Sequence, residues 1–215
     1  MKIKNLLFDL DGTITDPKVG ITESVRYALK ELGIKDIPEQ GDLLWFIGPP
    51  LHESFSVILK TDKKEIVDEA VRLYRVNYNR KGIFQFKLYN KIVETIKILN
   101  SDFNVYIATS KPKVMADIIF EHLSISHLFK GVYGSELDGT RTKKGEVITF
   151  LLDNEKLLAD ETIMIGDRKH DIIGAKENNM LSCGVIYGYG SKKELLEAGA
   201  DFVVKRPEEI PTLLF

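Results

Sequence analysis

The 215-residue chain reads as an α/β protein, a parallel sheet covered by helices on both faces and interrupted early by an inserted all-helical segment. Three observations predict this. Ile3 to Leu10 is an apolar run dense enough for a buried parallel strand, and it stops at the turn signal Asp11-Gly12-Thr13. From Leu88 onward, strand-like and helix-like segments alternate. Between the two, Asp16 to Gln85 carries helical patterning alone. The expected division is a core of residues 1–15 and 86–215 and a cap of residues 16–85.

In the cap, Ile21, Val25, Ala28, Leu29 and Leu32 repeat at helical spacing until Gly33 ends the run. A second helix is expected from Leu51 to Leu59. A third is expected from Lys63 to Asn79, with Asp62 and Glu65 at capping-box spacing. In the core the expected helices are Ile92 to Leu99, Pro112 to Leu123, Gly145 to Leu152, Ile172 to Asn178 and Lys192 to Ala198. The strands between and after them are Asn104 to Ala108, Gly131 to Tyr133, Thr162 to Ile165, Ser182 to Ile186 and Phe202 to Val204. There is no internal repeat and no low-complexity tract.

Bulk properties narrow the function classes. Length favours one domain with an insertion over two full domains. Thirty basic against 32 acidic side chains leave a formal charge of −2, so no global basic field holds a nucleic-acid polymer or an anionic membrane. An anionic substrate must be drawn in by a local site. The single cysteine, Cys183, forms no internal disulfide and is expected to pack in a strand, which suits a reducing compartment. The first apolar stretch is broken by Asp9 and Asp11 before a signal-peptide core forms, and no window approaches the roughly 20 apolar residues of a spanning helix. A cytoplasmic protein acting on a small molecule, as monomer or homodimer, is expected.

Open parallel sheets bind ligands beyond the carboxyl ends of their strands. Four expected strands end in polar clusters: Asp9-Leu10-Asp11-Gly12-Thr13, Thr109-Ser110-Lys111, Gly134-Ser135-Glu136 and Gly166-Asp167-Arg168-Lys169-His170-Asp171. Asp9 and Asp11 lie two apart, so on an extended chain both leave the same face. Close carboxylates repel, and folds tolerate them where a cation or a proton transfer requires them. A turn or N-cap role accounts for one of the two, not both. Gly12 permits close backbone approach, and the amides around Gly12 and Thr13 can hold an anion.

Asp9-Leu10-Asp11-Gly12-Thr13 after an apolar strand resembles the first motif of the haloacid dehalogenase superfamily, DxDGT. Thr109-Ser110 is similar to its second motif, a lysine precedes the fourth core strand, and Gly166 to Asp171 resembles its fourth motif, GDxxxD. The resemblance runs nearly end to end and implies a Rossmann-like core with a helical cap. It also implies a phosphatase using Mg²⁺ and an aspartyl-phosphate. On this resemblance Asp9 is the nucleophile and Asp11 the general acid and base. Asp9, the Asp11 carbonyl and Asp167 hold the metal, with Asp171 as direct or indirect support. Thr109 or Ser110 donates to a phosphate oxygen, and Lys144, with Lys143 as the alternative, holds the phosphate. His170 reads as a loop residue near the metal rather than a ligand. Gly48-Pro49-Pro50 resembles a substrate-facing cap loop of phosphoglycolate-phosphatase-like members. Gly134 to Gly139 and Gly166-Asp167-Arg168 are similar to relatives acting as 5′-nucleotidases. The alternatives are a phosphosugar mutase resembling β-phosphoglucomutase and a non-catalytic phosphometabolite-binding protein.

Overall fold

Apolar density decides where the sheet has its centre. Leu6, Leu7 and Phe8 are fully buried and form most of the first strand, β1 (Asn5–Phe8), in the computed structural model, which describes residues 2–214. Next come β2 (Thr15–Asp16), α1 (Lys18–Glu31), a 3₁₀ segment at Gln40–Phe46, α2 (Leu51–Leu59), α3 (Lys64–Arg80) and β3 (Lys87–Leu88). The remainder alternates as α4 (Ile92–Leu99), β4 (Asn104–Pro112), α5 (Lys113–Leu123), β5 (Val132–Ser135), α6 (Lys144–Glu155), β6 (Thr162–Gly166) and α7 (Lys169–Glu177). It closes with β7 (Leu181–Val185), α8 (Lys192–Glu197), β8 (Phe202–Val204) and α9 (Glu209–Leu214).

Six strands form one sheet in the order β5-β4-β1-β6-β7-β8, each pair parallel. From β1 the chain moves outward through β4 and β5, then returns to β1's other side at β6 and moves outward again. The direction therefore reverses between β1 and β6, the position at which an open sheet leaves a crevice at its carboxyl rim. Phe8 pairs with Ile107 on one side and Ile165 on the other, so Asp9 and Asp167 leave the sheet almost level with each other. On one face Leu7, Tyr106, Ala108 and Met164 pack against Val147, Ile148, Leu151 and Leu152 of α6 and Ala175 of α7. Each such aliphatic side chain contributes about 1.5–3 kcal/mol on burial.

The chain divides into two compact units, residues 1–16 with 88–215, and residues 17–87. In the second, α1 packs on α3. The Ser24 hydroxyl donates to the Gly20 carbonyl at 2.6 Å and accepts from the Asn77 amide at 3.1 Å. Phe46, Phe55, Tyr74 and Tyr78 form a chain of ring contacts with centroids 5.2, 6.2 and 5.4 Å apart.

Several expectations needed correction. The Asp62–Glu65 capping box does not form: Lys63 occupies the N-cap of α3, and Asp62 instead accepts from the Ser56 hydroxyl at 2.6 Å. Strand β4 continues past Ala108 to Pro112 through a register shift against β5. Helix α7 starts three residues earlier than its apolar pattern, because the Asp171 carboxylate accepts the Arg168 N–H at 3.0 Å and satisfies the first turn. Thus His170 is helical rather than in a loop.

Gly20 lies inside α1, where alanine ordinarily stabilises by up to about 1 kcal/mol. A Cβ there would stand 2.0 Å from the Gly82 carbonyl oxygen. Gly20→Ala is therefore expected to lower stability by about 1–3 kcal/mol in urea denaturation, reversing the sign that helix propensity alone gives.

Candidate active site

The polar ends of β1, β4 and β6 meet at the carboxyl rim of the sheet. Asp9, one residue past β1, is anchored by its N–H to the Ile165 carbonyl at 2.9 Å. Asp167 follows β6, and Asp171 lies in the first turn of α7. All three are buried, and one carboxylate oxygen from each lies within 4.8 Å of the others. Lys144, at the start of α6, extends its ammonium into the group, 2.7 Å from Asp9 Oδ1 and 2.9 Å from Asp171 Oδ1. Its directed hydrogen bond goes to the Ala108 carbonyl at 2.7 Å. Those two carboxylate oxygens have the ammonium as their shared counter-ion.

Asp167 is held from several directions. Its Oδ2 accepts the Tyr189 N–H at 2.8 Å, and the Thr13 hydroxyl lies 3.4 Å from its Oδ1. Gly12 has φ +89°, and a Cβ there would stand 2.2 Å from Asp167 Oδ2. The loop after β7 approaches equally closely, with room for no Cβ at Gly188 or Gly190. The Tyr187 hydroxyl donates to the Thr13 carbonyl at 3.1 Å and ties this loop to the first turn.

Burial, then the charges of Asp171 and Asp9, push the Asp167 carboxyl well above the usual carboxylate range. Burial pushes Asp171 up to about 6, with the Lys144 ammonium opposing and Asp9 adding to the rise. For Lys144 burial is the largest influence and disfavours its charge. Asp171 and Asp9 outweigh it and hold the ammonium above its ordinary value. The group is thus short of positive charge. Hard, buried oxygen donors, with no cysteine or histidine in the set, fit a divalent cation.

Other expected residues divide. Of the adjacent lysines, Lys144 enters the group while Lys143 is exposed. Asp11 is not one of the three clustered carboxylates; it pairs with Lys111, and its Oδ1 lies 3.4 Å from the Thr15 hydroxyl. The Gly12 and Thr13 amides donate inside the turn, to the Thr15 and Leu10 carbonyls at 2.7 and 3.3 Å. They do not form the open anion cradle expected of them; Gly12 instead supplies clearance for Asp167. Thr109 is buried, and its Oγ1 accepts the Lys111 N–H at 3.2 Å. Ser110 is half-buried, its carbonyl accepting from the Ser135 hydroxyl at 2.9 Å. Gly48, Pro49 and Pro50 form a half-buried turn ahead of α2 in the second unit. Cys183 is buried in β7, where burial pushes its thiol up to about 12.

Lys111 and the Tyr187-Gly188-Tyr189-Gly190 loop were not assigned roles from sequence. Lys111 lies in the last residues of β4 and the loop follows β7, so both stand at the rim to which the strand-end rule applies.

Residues 6–185 match the model of the haloacid dehalogenase-like hydrolase family. The chain belongs to that family. It is 46% identical over 196 residues to a 5′-nucleotidase of Pseudomonas aeruginosa, covering 91% of this chain and 88% of that protein. It is 34% identical to the tyrosine-protein kinase PtkA of Mycobacterium tuberculosis, covering 96% of this chain and 67% of that protein. A phosphoglycolate phosphatase of Vibrio cholerae is 29% identical, with 99% and 96% covered. A solved structure, a predicted phosphatase from Clostridium acetobutylicum, superposes with a TM-score of 0.95 at 39% identity, covering 100% and 99%. This member of the haloacid dehalogenase-like family is a phosphoric monoester hydrolase, with a six-stranded parallel core. Among the described residues, no helix is long and apolar enough to cross a membrane.

Protons and a cation compete for the same carboxylates. The Asp171 carboxyl, pushed up to about 6, takes up a proton in the cation-free protein as pH falls through that value, and the Asp167 carboxyl, raised well above the usual carboxylate range, also resists ionisation. Divalent-cation binding measured by calorimetry is expected to weaken at least about tenfold between about pH 7 and about pH 5. An affinity that does not change across that window would contradict the assignment.

Proposed function

We propose that this enzyme is a Mg²⁺-dependent phosphatase that hydrolyses small phosphate monoesters through an aspartyl-phosphate on Asp9. Phosphoglycolate-like molecules and nucleoside 5′-monophosphates are the proposed substrates. The observation that carries this reading is the meeting of Asp9, Asp167, Asp171 and Lys144 where the strand order reverses. Retention of a second aspartate, Asp11, supports ester chemistry, since an ester oxygen needs a proton as it leaves.

A carboxylate oxygen of Asp9 attacks phosphorus, forming an acyl phosphate as the ester P–O bond breaks. Asp11 gives its proton to the leaving oxygen. Water then attacks phosphorus and passes a proton to Asp11, releasing orthophosphate and restoring the Asp9 carboxylate. Asp9, Asp167 and the Asp11 carbonyl would hold Mg²⁺, with Asp171 in support. When bound, the ion offsets repulsion between the anionic nucleophile and a dianionic ester. Lys144 neutralises part of the same charge and fixes Asp9 and Asp171 relative to each other. Thr109 is oriented by the Lys111 N–H that it accepts, leaving its own proton for a phosphate oxygen, a role that Ser110 shares. The Gly48-Pro49-Pro50 turn, with Gly48 at φ +109° and two rigid residues ahead of α2, is proposed to select the leaving group.

Turnover should be measured on phosphoglycolate, nucleoside monophosphates, sugar phosphates, pyrophosphate and an aryl phosphate, scoring orthophosphate release against isomer formation. Orthophosphate release is expected, abolished by EDTA and restored by Mg²⁺. Asp9→Asn is expected to lower turnover by about 10³-fold or more with the thermal midpoint retained. A wild type that releases no phosphate from any of these with Mg²⁺ present would sink the reading.

A further inference from the structure

We propose that Lys111 is a ligand of the substrate phosphate, held on Asp11 in the free protein and handed to the phosphoryl group when an ester binds. The proposal deepens the phosphatase reading and rests on it. Lys111 stands at the carboxyl end of β4, beside β1, and its ammonium is ion-paired with Asp11 Oδ2. The side chains are 8% and 12% exposed, so the pair lies within the rim and not on the open surface. Such a pair is screened by water and salt less than an exposed one.

Three features make it a transferable cation. First, the Asp11 carboxylate is engaged on both oxygens, with the Thr15 hydroxyl 3.4 Å from Oδ1. To exchange a proton with an ester oxygen, one oxygen must be released. Thr15 belongs to the tight turn after β1, its N–H bonded to the Leu10 carbonyl at 3.0 Å, whereas Lys111 reaches Asp11 through a four-carbon stem.

Second, the Lys111 backbone is fixed. Its N–H donates to Thr109 Oγ1 at 3.2 Å, and its carbonyl lies where a Cβ on Gly134 would be only 2.5 Å away. Movement is therefore confined to the side chain, whose tether ends next to Thr109 and Ser110.

Third, charge favours the transfer. At this rim the ion pairs set two lysines against Asp9, Asp11 and Asp171, and Asp167 completes four carboxylates. A phosphate dianion brings up to twice the charge of a single carboxylate and outcompetes Asp11 for the ammonium. Binding of the ester then frees the group that must protonate it.

The test is orthophosphate binding to the full-length protein with Mg²⁺, by calorimetry and by competitive inhibition. Lys111→Met is expected to weaken orthophosphate binding by about ten- to a hundredfold, the range for losing one charge-assisted hydrogen bond, with partial recovery in Lys111→Arg. Unchanged binding in a folded Lys111→Met variant overturns the proposal. Should that variant not fold, the lysine side-chain ammonium resonances of the wild type decide. The Lys111 signal, assigned with Lys111→Arg, is expected to shift on addition of orthophosphate, and an unmoved signal overturns the proposal. The two readings fail separately. Loss of the phosphatase reading appears as a wild type without turnover. Loss of this one appears as an active wild type whose phosphate binding ignores residue 111.

Discussion

Three carboxylates buried within 4.8 Å of one another are the constraint to which the rest of the core answers. Each ionised pair at that separation repels by about 3–4 kcal/mol at an effective dielectric of 20, before the loss of hydration is counted. A fold of ordinary stability cannot carry several such terms unopposed. Lys144 opposes part of the repulsion from the first residue of α6, and the raised Asp167 and Asp171 carboxyls express the part left over. Protons or a cation must supply the remainder, and this deficit of positive charge fits the site to a divalent cation. The cluster is costly as structure and useful as chemistry.

Strand order brings the group together. Because the chain turns back at β1, the residues following β1 and β6 emerge side by side although 158 positions separate Asp9 from Asp167. The parallel register then sets their level to within one residue. Close packing does the rest. Gly12 and the loop after β7 crowd Asp167 so tightly that its carboxylate has little freedom, and the Tyr189 N–H fixes one of its oxygens. A carboxylate held this way needs little reorganisation to act as a ligand.

The same rim divides its two lysines by role. Lys144 bridges two carboxylates and a backbone carbonyl from a helix start, a geometry that pins it. Lys111 pairs with Asp11, in the turn after β1, from the last residues of the adjacent strand β4, where its N–H is held by Thr109. Charge count alone treats them alike; attachment separates them, and on the proposed reading only Lys111 is drawn away by a stronger anion.

Much of this was present in the residue order. Apolar runs of strand length, alternating with amphipathic helices, identify a parallel sheet because each segment's burial pattern is local chemistry. The rim rule then reaches Asp9, Asp167 and Asp171 without coordinates. Family likeness between motifs ranked Lys144 over Lys143, but only helix geometry sends Lys144 inward and leaves Lys143 exposed. The Asp62–Glu65 spacing suggested a cap that Ser56 pre-empted, because a side chain's choice between acceptors depends on neighbours brought in by folding. So did the Gly12 and Thr13 amides, which the turn uses for itself. By itself the sequence determined the fold class and the identity of the acidic residues, since both follow from patterns of a few adjacent positions. Only the tertiary structure decided that Asp11 faces Lys111, that Tyr189 secures Asp167 and which carboxylates share one space, because those are distances between residues far apart in the chain.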